Sequence, residues 1–110
     1  LDYPDTYIYE VGSDDLVPNS TELSNVYPNP FNPSTTIDYS LETNSDVSLY
    51  IYDMQGRMVK NLVSNNQDAG SYSIIWNGIN ENGVQVSSGM YLVRMEANNQ
   101  VYQQAITLLK

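Results

Sequence analysis

Any chemistry in this chain has to come from oxygen and amide side chains. The sequence contains no Cys and no His, which excludes thiolate nucleophiles, disulfides, imidazole bases, Cys/His zinc sites and haem or iron–sulfur ligation. Asp38 and Asp53 remain as a carboxylate pair that acid–base catalysis could use, but no neighbouring motif marks either as a catalytic acid. Oxygen ligands gather around glycines at Asn77, Asn80, Glu81 and Asn82, loosely like a calcium loop, with one carboxylate where an EF-hand supplies several. A turn without metal is the expectation there, and a solvated acidic linker is the expectation at Asp14-Asp15. The ten tyrosines suggest a carbohydrate-binding platform as an alternative, although most sit at alternating strand positions where packing accounts for them. Asn19-Ser20-Thr21 matches a glycosylation acceptor, a pattern frequent by chance. The reading is of a non-catalytic chain, without cofactor.

The chain has 110 residues, the length of one domain with one modest core. It carries 13 acidic and 4 basic residues, a net charge of −9. A polyanion would be repelled, and the cations Arg57, Lys60, Arg94 and Lys110 form no stripe, so nucleic acid is excluded as a partner. The longest apolar runs, Leu49–Tyr52 and Met90–Val93, are four residues each, against about 20 for a transmembrane helix. Absence of Cys leaves the compartment open. A start at Leu1 with no signal segment reads as a piece of a longer protein whose export signal would lie upstream.

Residues 1–24 hold six acids and no base. Although Thr6–Val11 has a strand-like pattern, Gly12–Asp15 and Pro18–Ser20 break it. Residues 1–22 are therefore read as an acidic linker or the tail of a preceding domain, able at most to add an edge strand, and residues 23–110 as a folded domain. Short alternating segments separated by Gly, Asn, Asp and Pro give that domain a period of two, without helical periodicity. Thr35–Leu41 turns Ile37, Tyr39 and Leu41 to one face; Val47–Tyr52 turns Val47, Leu49 and Ile51 inward, with Tyr50 and Tyr52 shielding the other face. Gln55-Gly56 marks a hairpin turn, with a return strand from Arg57 to Val63 and a polar loop from Ser64 to Ala69. Gly70–Trp76 places Tyr72, Ile74 and Trp76 in phase, with Trp76 as the central core aromatic. A short segment at Val84–Val86, a strand Met90–Ala97 carrying Tyr91, Val93 and Met95 on one face, a turn at Asn98-Asn99 and a last strand Gln100–Leu109 complete the chain. About seven strands predict an all-β, immunoglobulin-like β-sandwich held by packing alone.

The most specific stretch is Val26–Ile37, with three prolines within six residues at Pro28, Pro30 and Pro33. Fixed φ values and extended preceding residues make it an ordered crossover between two strands, with Phe31 plugging one end of the sandwich. The stretch Tyr27–Ile37, then Ile51-Tyr52-Asp53 with Gly56-Arg57, Ala69-Gly70 with Trp76, Ser88-Gly89 with Tyr91, and Leu108-Leu109-Lys110 together resemble the type A C-terminal sorting domain of the type IX secretion system. The resemblance runs in order from about Leu23 to Lys110. It departs from the family pattern at Asn77, often Asp, and at Gln103 and Gln104, where Lys is frequent.

The resemblance implies a small immunoglobulin-like module at the end of a cargo protein exported by bacteria of the Bacteroidetes and their relatives. Its partners would be an outer-membrane translocon, a surface sortase and the upstream cargo domain. Its path would run through the periplasm to the cell surface. Carried onto this sequence, the recognition elements are Pro28, Asn29, Pro30, Gly89, Tyr91, Leu108, Leu109 and Lys110, with cleavage in the acidic stretch before Leu23. The sandwich is also similar to the immunoglobulin-like domain of the flagellar hook-capping protein, which keeps a structural assembly role as a further alternative. On the residues alone, the last strand is expected to lie at an edge, available for strand addition and cheap to peel away, while Ile106 and Leu108 complete the core. The expected core comprises Phe31, Ile37, Leu49, Ile51, Trp76, Tyr91 and Val93.

Overall fold

Alternating apolar positions give a sheet one face that must be buried against another layer, and here two sheets cover each other. The computed structural model describes residues 17–110. Seven strands follow one another: β1 (Glu22–Tyr27), β2 (Thr35–Leu41), β3 (Ser45–Asp53), β4 (Met58–Gln67), β5 (Gly70–Trp76), β6 (Gly89–Ala97) and β7 (Gln100–Leu108). One sheet has the order β1-β2-β5 and the other β4-β3-β6-β7, every neighbouring pair antiparallel. The fold is an immunoglobulin-like β-sandwich, with no helix among the described residues and none able to cross a membrane as a helix. Thr6–Val11 and Asp14-Asp15 lie outside the described residues.

The core is the sum of the inward faces. Ile37, Tyr39 and Leu41 from β2 meet Val47, Leu49 and Ile51 from β3, Tyr91, Val93 and Met95 from β6, and Ile106 and Leu108 from β7. Trp76 and Phe31 close one end at 1% exposure each. Tyr72 and Ile74, in phase with Trp76, are half-buried because β5 is the edge of the smaller sheet.

Two elements differ from expectation. The segment Ser64–Ala69, expected as a loop, continues β4 as far as Gln67: Ser64, Asn65, Asn66 and Gln67 pair with Ser48, Val47, Asp46 and Ser45. An edge strand tolerates polar side chains because solvent reaches them, so side-chain polarity did not end the ladder. Val84–Val86 forms no strand and contributes only an isolated bridge between Ile79 and Gln85. The seventh strand is instead β1, and hydrogen bonds extend the ordered unit back to Ser20, whose carbonyl accepts from Ser40 Oγ at 3.1 Å.

Both outer edges of the larger sheet are partly occupied by loops. At β4, the N–H of Glu81 donates to the Val59 carbonyl at 3.1 Å, and the Glu81 carboxylate accepts from the Asn61 N–H. At β7 the occupant is the proline-rich crossover.

Candidate functional site

The crossover between β1 and β2 cannot run as a regular strand, because its prolines lack donors. It is anchored at its start by Thr35, whose Oγ1 donates to the Pro28 carbonyl at 2.8 Å. That leaves Asn29 facing β7. Its amide nitrogen donates to the Ala105 carbonyl at 3.3 Å and its Oδ1 accepts from the Thr107 N–H at 3.0 Å. Phe31 continues the same line with its backbone: its N–H donates to the Thr107 carbonyl and its carbonyl accepts from the Leu109 N–H, both at 2.9 Å. The Asn29 side chain thus replaces a peptide group in a short parallel ladder along β7.

Side-chain packing welds the same end of the molecule. The rings of Phe31 and Trp76 lie 5.6 Å apart, and those of Trp76 and Tyr91 lie 5.5 Å apart at 70°, distances typical of favourable aromatic pairs. Trp76 Nε1 donates to the Ile79 carbonyl at 2.9 Å, and the Tyr91 hydroxyl donates to the Ser87 carbonyl at 2.6 Å, so neither buried polar group is orphaned. Gly89 pairs with Leu108 in the β6–β7 ladder at φ 147°, where a Cβ would meet nothing within 4 Å. Backbone conformation, not crowding, is what requires glycine at that position.

Pro28, Asn29, Pro30, Gly89, Tyr91, Leu108, Leu109 and Lys110 therefore converge on one end of the sandwich. Within that group the accessible part is smaller than the sequence suggests. Tyr91 and Leu108 are 6% and 1% exposed and belong to the core; Leu109 and Lys110 are exposed. The expectation that the end of β7 is a free edge and cheap to peel needs correction. Its C-terminal half carries the Asn29 and Phe31 bonds on its outer side, so only the stretch toward Gln100 is open. Those bonds join residues 76 and 78 positions apart through Asn29, and no local pattern in the sequence announces them. Ala105 and Thr107 are members of the site that sequence reasoning missed for that reason.

The other candidate residues are separated or already engaged. Asp38 is in β2 of the small sheet and accepts from Ser73 Oγ, whereas Asp53 ends β3 in the large sheet. Arg57 and Gln55 backbone N–H groups and the Arg57 guanidinium hold the Asp53 carboxyl below the ordinary value, the opposite of what a catalytic acid needs. The Tyr27 phenol is raised by its hydrogen bond to Asp38, and the Tyr39 phenol by burial. In the asparagine loop, Asn80 Oδ1 accepts from the N–H groups of Asn82 and Val84, and Glu81 faces Lys60 at 4.0 Å. Asn77 lies apart from them, on the wall of a cavity beside Lys110. Tyr39 and Tyr72 stack at 12°, but Tyr39 is buried; Tyr50 and Tyr52 on the outer face meet at 65°, which is not the flat pair a sugar ring would stack on.

Comparison with known proteins places the fold. The model of the FlgD Ig-like domain family matches residues 31–100. None of the curated proteins compared with the chain matches it. Among solved structures, dimeric latent PorU from Porphyromonas gingivalis is similar at a TM-score of 0.68 and 21% identity, over 81% of this chain and 9% of that one. PorZ from P. gingivalis, described as an essential surface component of the type IX secretion system, is similar at 0.56 and 24%, over 78% of this chain and 11% of that one. FlgD from Xanthomonas campestris, studied for hook capping in flagellar assembly, is similar at 0.52 and 22%, over 84% of this chain and 64% of that one. At such identities the likeness is one of fold, and the chain spans only a small part of PorU and PorZ.

Proposed function

The chain belongs to the FlgD Ig-like domain family, and within that family we propose that it is a non-catalytic sorting domain, read at the outer membrane by a type IX translocon on behalf of an exported cargo. The observation that carries this reading is the ladder joining Asn29 and Phe31 to Ala105, Thr107 and Leu109. It makes two distant motifs, the proline-rich crossover and the chain's last residues, a single surface. A surface sortase would act upstream of β1, and the domain's route would be from periplasm to cell surface. Likeness of fold to PorZ, a surface component of that secretion system, supports the reading.

The test is delivery of a reporter. The chain is fused behind a reporter with a periplasmic signal peptide in a bacterium that has a type IX system. Surface delivery is expected, as is its loss when Leu109 and Lys110 are removed. Both residues are exposed, so this truncation spares the core, whereas removing Leu108 as well would cost about 2–5 kcal/mol of folding free energy. Retention of the intact fusion in the periplasm, or unchanged delivery after truncation, contradicts the proposal. A second reading, assembly of the hook-cap kind, is favoured by the family match; it predicts that trimming the chain end affects folding alone.

A further inference from the structure

Backbone hydrogen bonding leaves one stretch of the large sheet's rim without a partner. The Ala105 carbonyl, the N–H and carbonyl of Thr107 and the Leu109 N–H all face the crossover, and the β6–β7 register runs unbroken from Gln100 to Leu108. Odd-numbered residues of β7 therefore point their backbone groups away from β6. The N–H and carbonyl of Val101 and of Gln103, with the Ala105 N–H, have no bonded partner among the described residues, and β1 of the other sheet pairs only with β2.

Sheet edges are commonly guarded by charge, proline or a bulge. Two of the other outer strands follow that rule: β1 carries Glu22 and a shift in register at Leu23/Asn25, and β4 carries Lys60, two shifts and the Glu81 contact. β5 has no charge of its own, but Asp38 of the neighbouring strand accepts from Ser73 Oγ beside it. β7 has no such guard over Val101–Ala105. Its nine residues are uncharged, and the nearest charges in register, Arg94 opposite Gln103 and Glu96 opposite Val101, pair with each other at 3.1 Å.

We propose that this stretch pairs with the same stretch of a second copy of the chain, antiparallel about a two-fold axis at Gln103, joining two four-stranded sheets into one. The register is fixed from both sides. Asn29 blocks the row beyond Ala105, and the Asn98-Asn99 turn takes the second chain away before Gln100, so a two-fold at Gln103 matches every free group. Gln103 then exchanges both backbone bonds with its copy, the Ala105 N–H donates to the copy's Val101 carbonyl, and the Val101 N–H reaches the second lone pair of the copy's Ala105 carbonyl. Val101 and Ala105 meet as an apolar cross-strand pair on the outer face. Two copies touch there without a like-charge contact. Antiparallel pairing sends the two crossover ends in opposite directions, so the surface of the sorting reading stays free, and the pairing does not depend on that reading.

Sedimentation of the full chain tests this by charge swapping. Wild type is expected to shift from monomer toward dimer as its concentration rises to about 1 mM, the weak end of specific association. Gln103→Glu, which gains Arg94 as a neighbour within its own chain, and Gln103→Lys each set like charges across the axis. Each alone is expected to stay monomeric, with a melting temperature near wild type, while an equimolar mixture of the two dimerises again. Ser71→Lys on β5 is expected to change nothing. A wild type that is monomeric up to about 1 mM would overturn the proposal, as would a mixture that stays monomeric, a dimer that survives both Gln103 substitutions, or one that Ser71→Lys abolishes.

Discussion

Asn29 links two parts of the chain that share no local sequence relation. Its amide supplies one donor and one acceptor at the spacing of a peptide group, so an aspartate could keep the bond from Thr107 but would set an oxygen against the Ala105 carbonyl. Trp76 is the other residue on which this end depends, since Phe31 and Tyr91 pack on its two sides. Trp76→Ala is expected to lower unfolding free energy by about 3–5 kcal/mol in a denaturant titration; a loss under about 1 kcal/mol would contradict its central position. The role of Trp76 was legible in the sequence because period-two alternation through Tyr72 and Ile74 fixes its phase. The bonds of Asn29 were not legible, and the resemblance named the residue without them, because a bond between a loop side chain and a strand some 76 residues away leaves no periodic trace.

Elements show the same division. Strands β2, β3, β5 and β6 have alternating apolar residues and could be read directly, as could the two-residue turn at Asn98-Asn99, which adopts φ of 50° and 64°. The end of β4 could not, since an edge strand made of Ser, Asn and Gln looks like a loop until its partner is known. Within the β3–β4 hairpin, Asp53 accepts from the N–H groups of Arg57 and Gln55 and from Arg57 Nε. Because these bonds lower its pKa in the folded state, its contribution is present above the unfolded carboxylate pKa and disappears as pH falls through the folded one. Stability measured by urea denaturation should therefore drop as pH goes below about 4, with a shallower drop for Asp53→Asn. Identical pH slopes for the two proteins would contradict this.

On the scale of the whole molecule, the sandwich divides its two ends unequally. One end gathers the crossover, the aromatic chain Phe31–Trp76–Tyr91, and the last residues of β7 into a single packed and hydrogen-bonded unit. Loops also occupy part of both outer edges of the large sheet, which limits uncontrolled strand pairing. What is left accessible at the first end is small: Pro28 to Pro30, Leu109, Lys110 and the cavity beside them. Recognition there would depend on the joined surface, more than on fold stability in general. The most direct measurement compares reporter delivery by Asn29→Asp with delivery by a core variant of at least equal instability, such as Val93→Ala, whose side chain is fully buried and remote in sequence from both motifs. The account predicts that Asn29→Asp stays in the periplasm while Val93→Ala still reaches the surface; equal delivery of the two would contradict it.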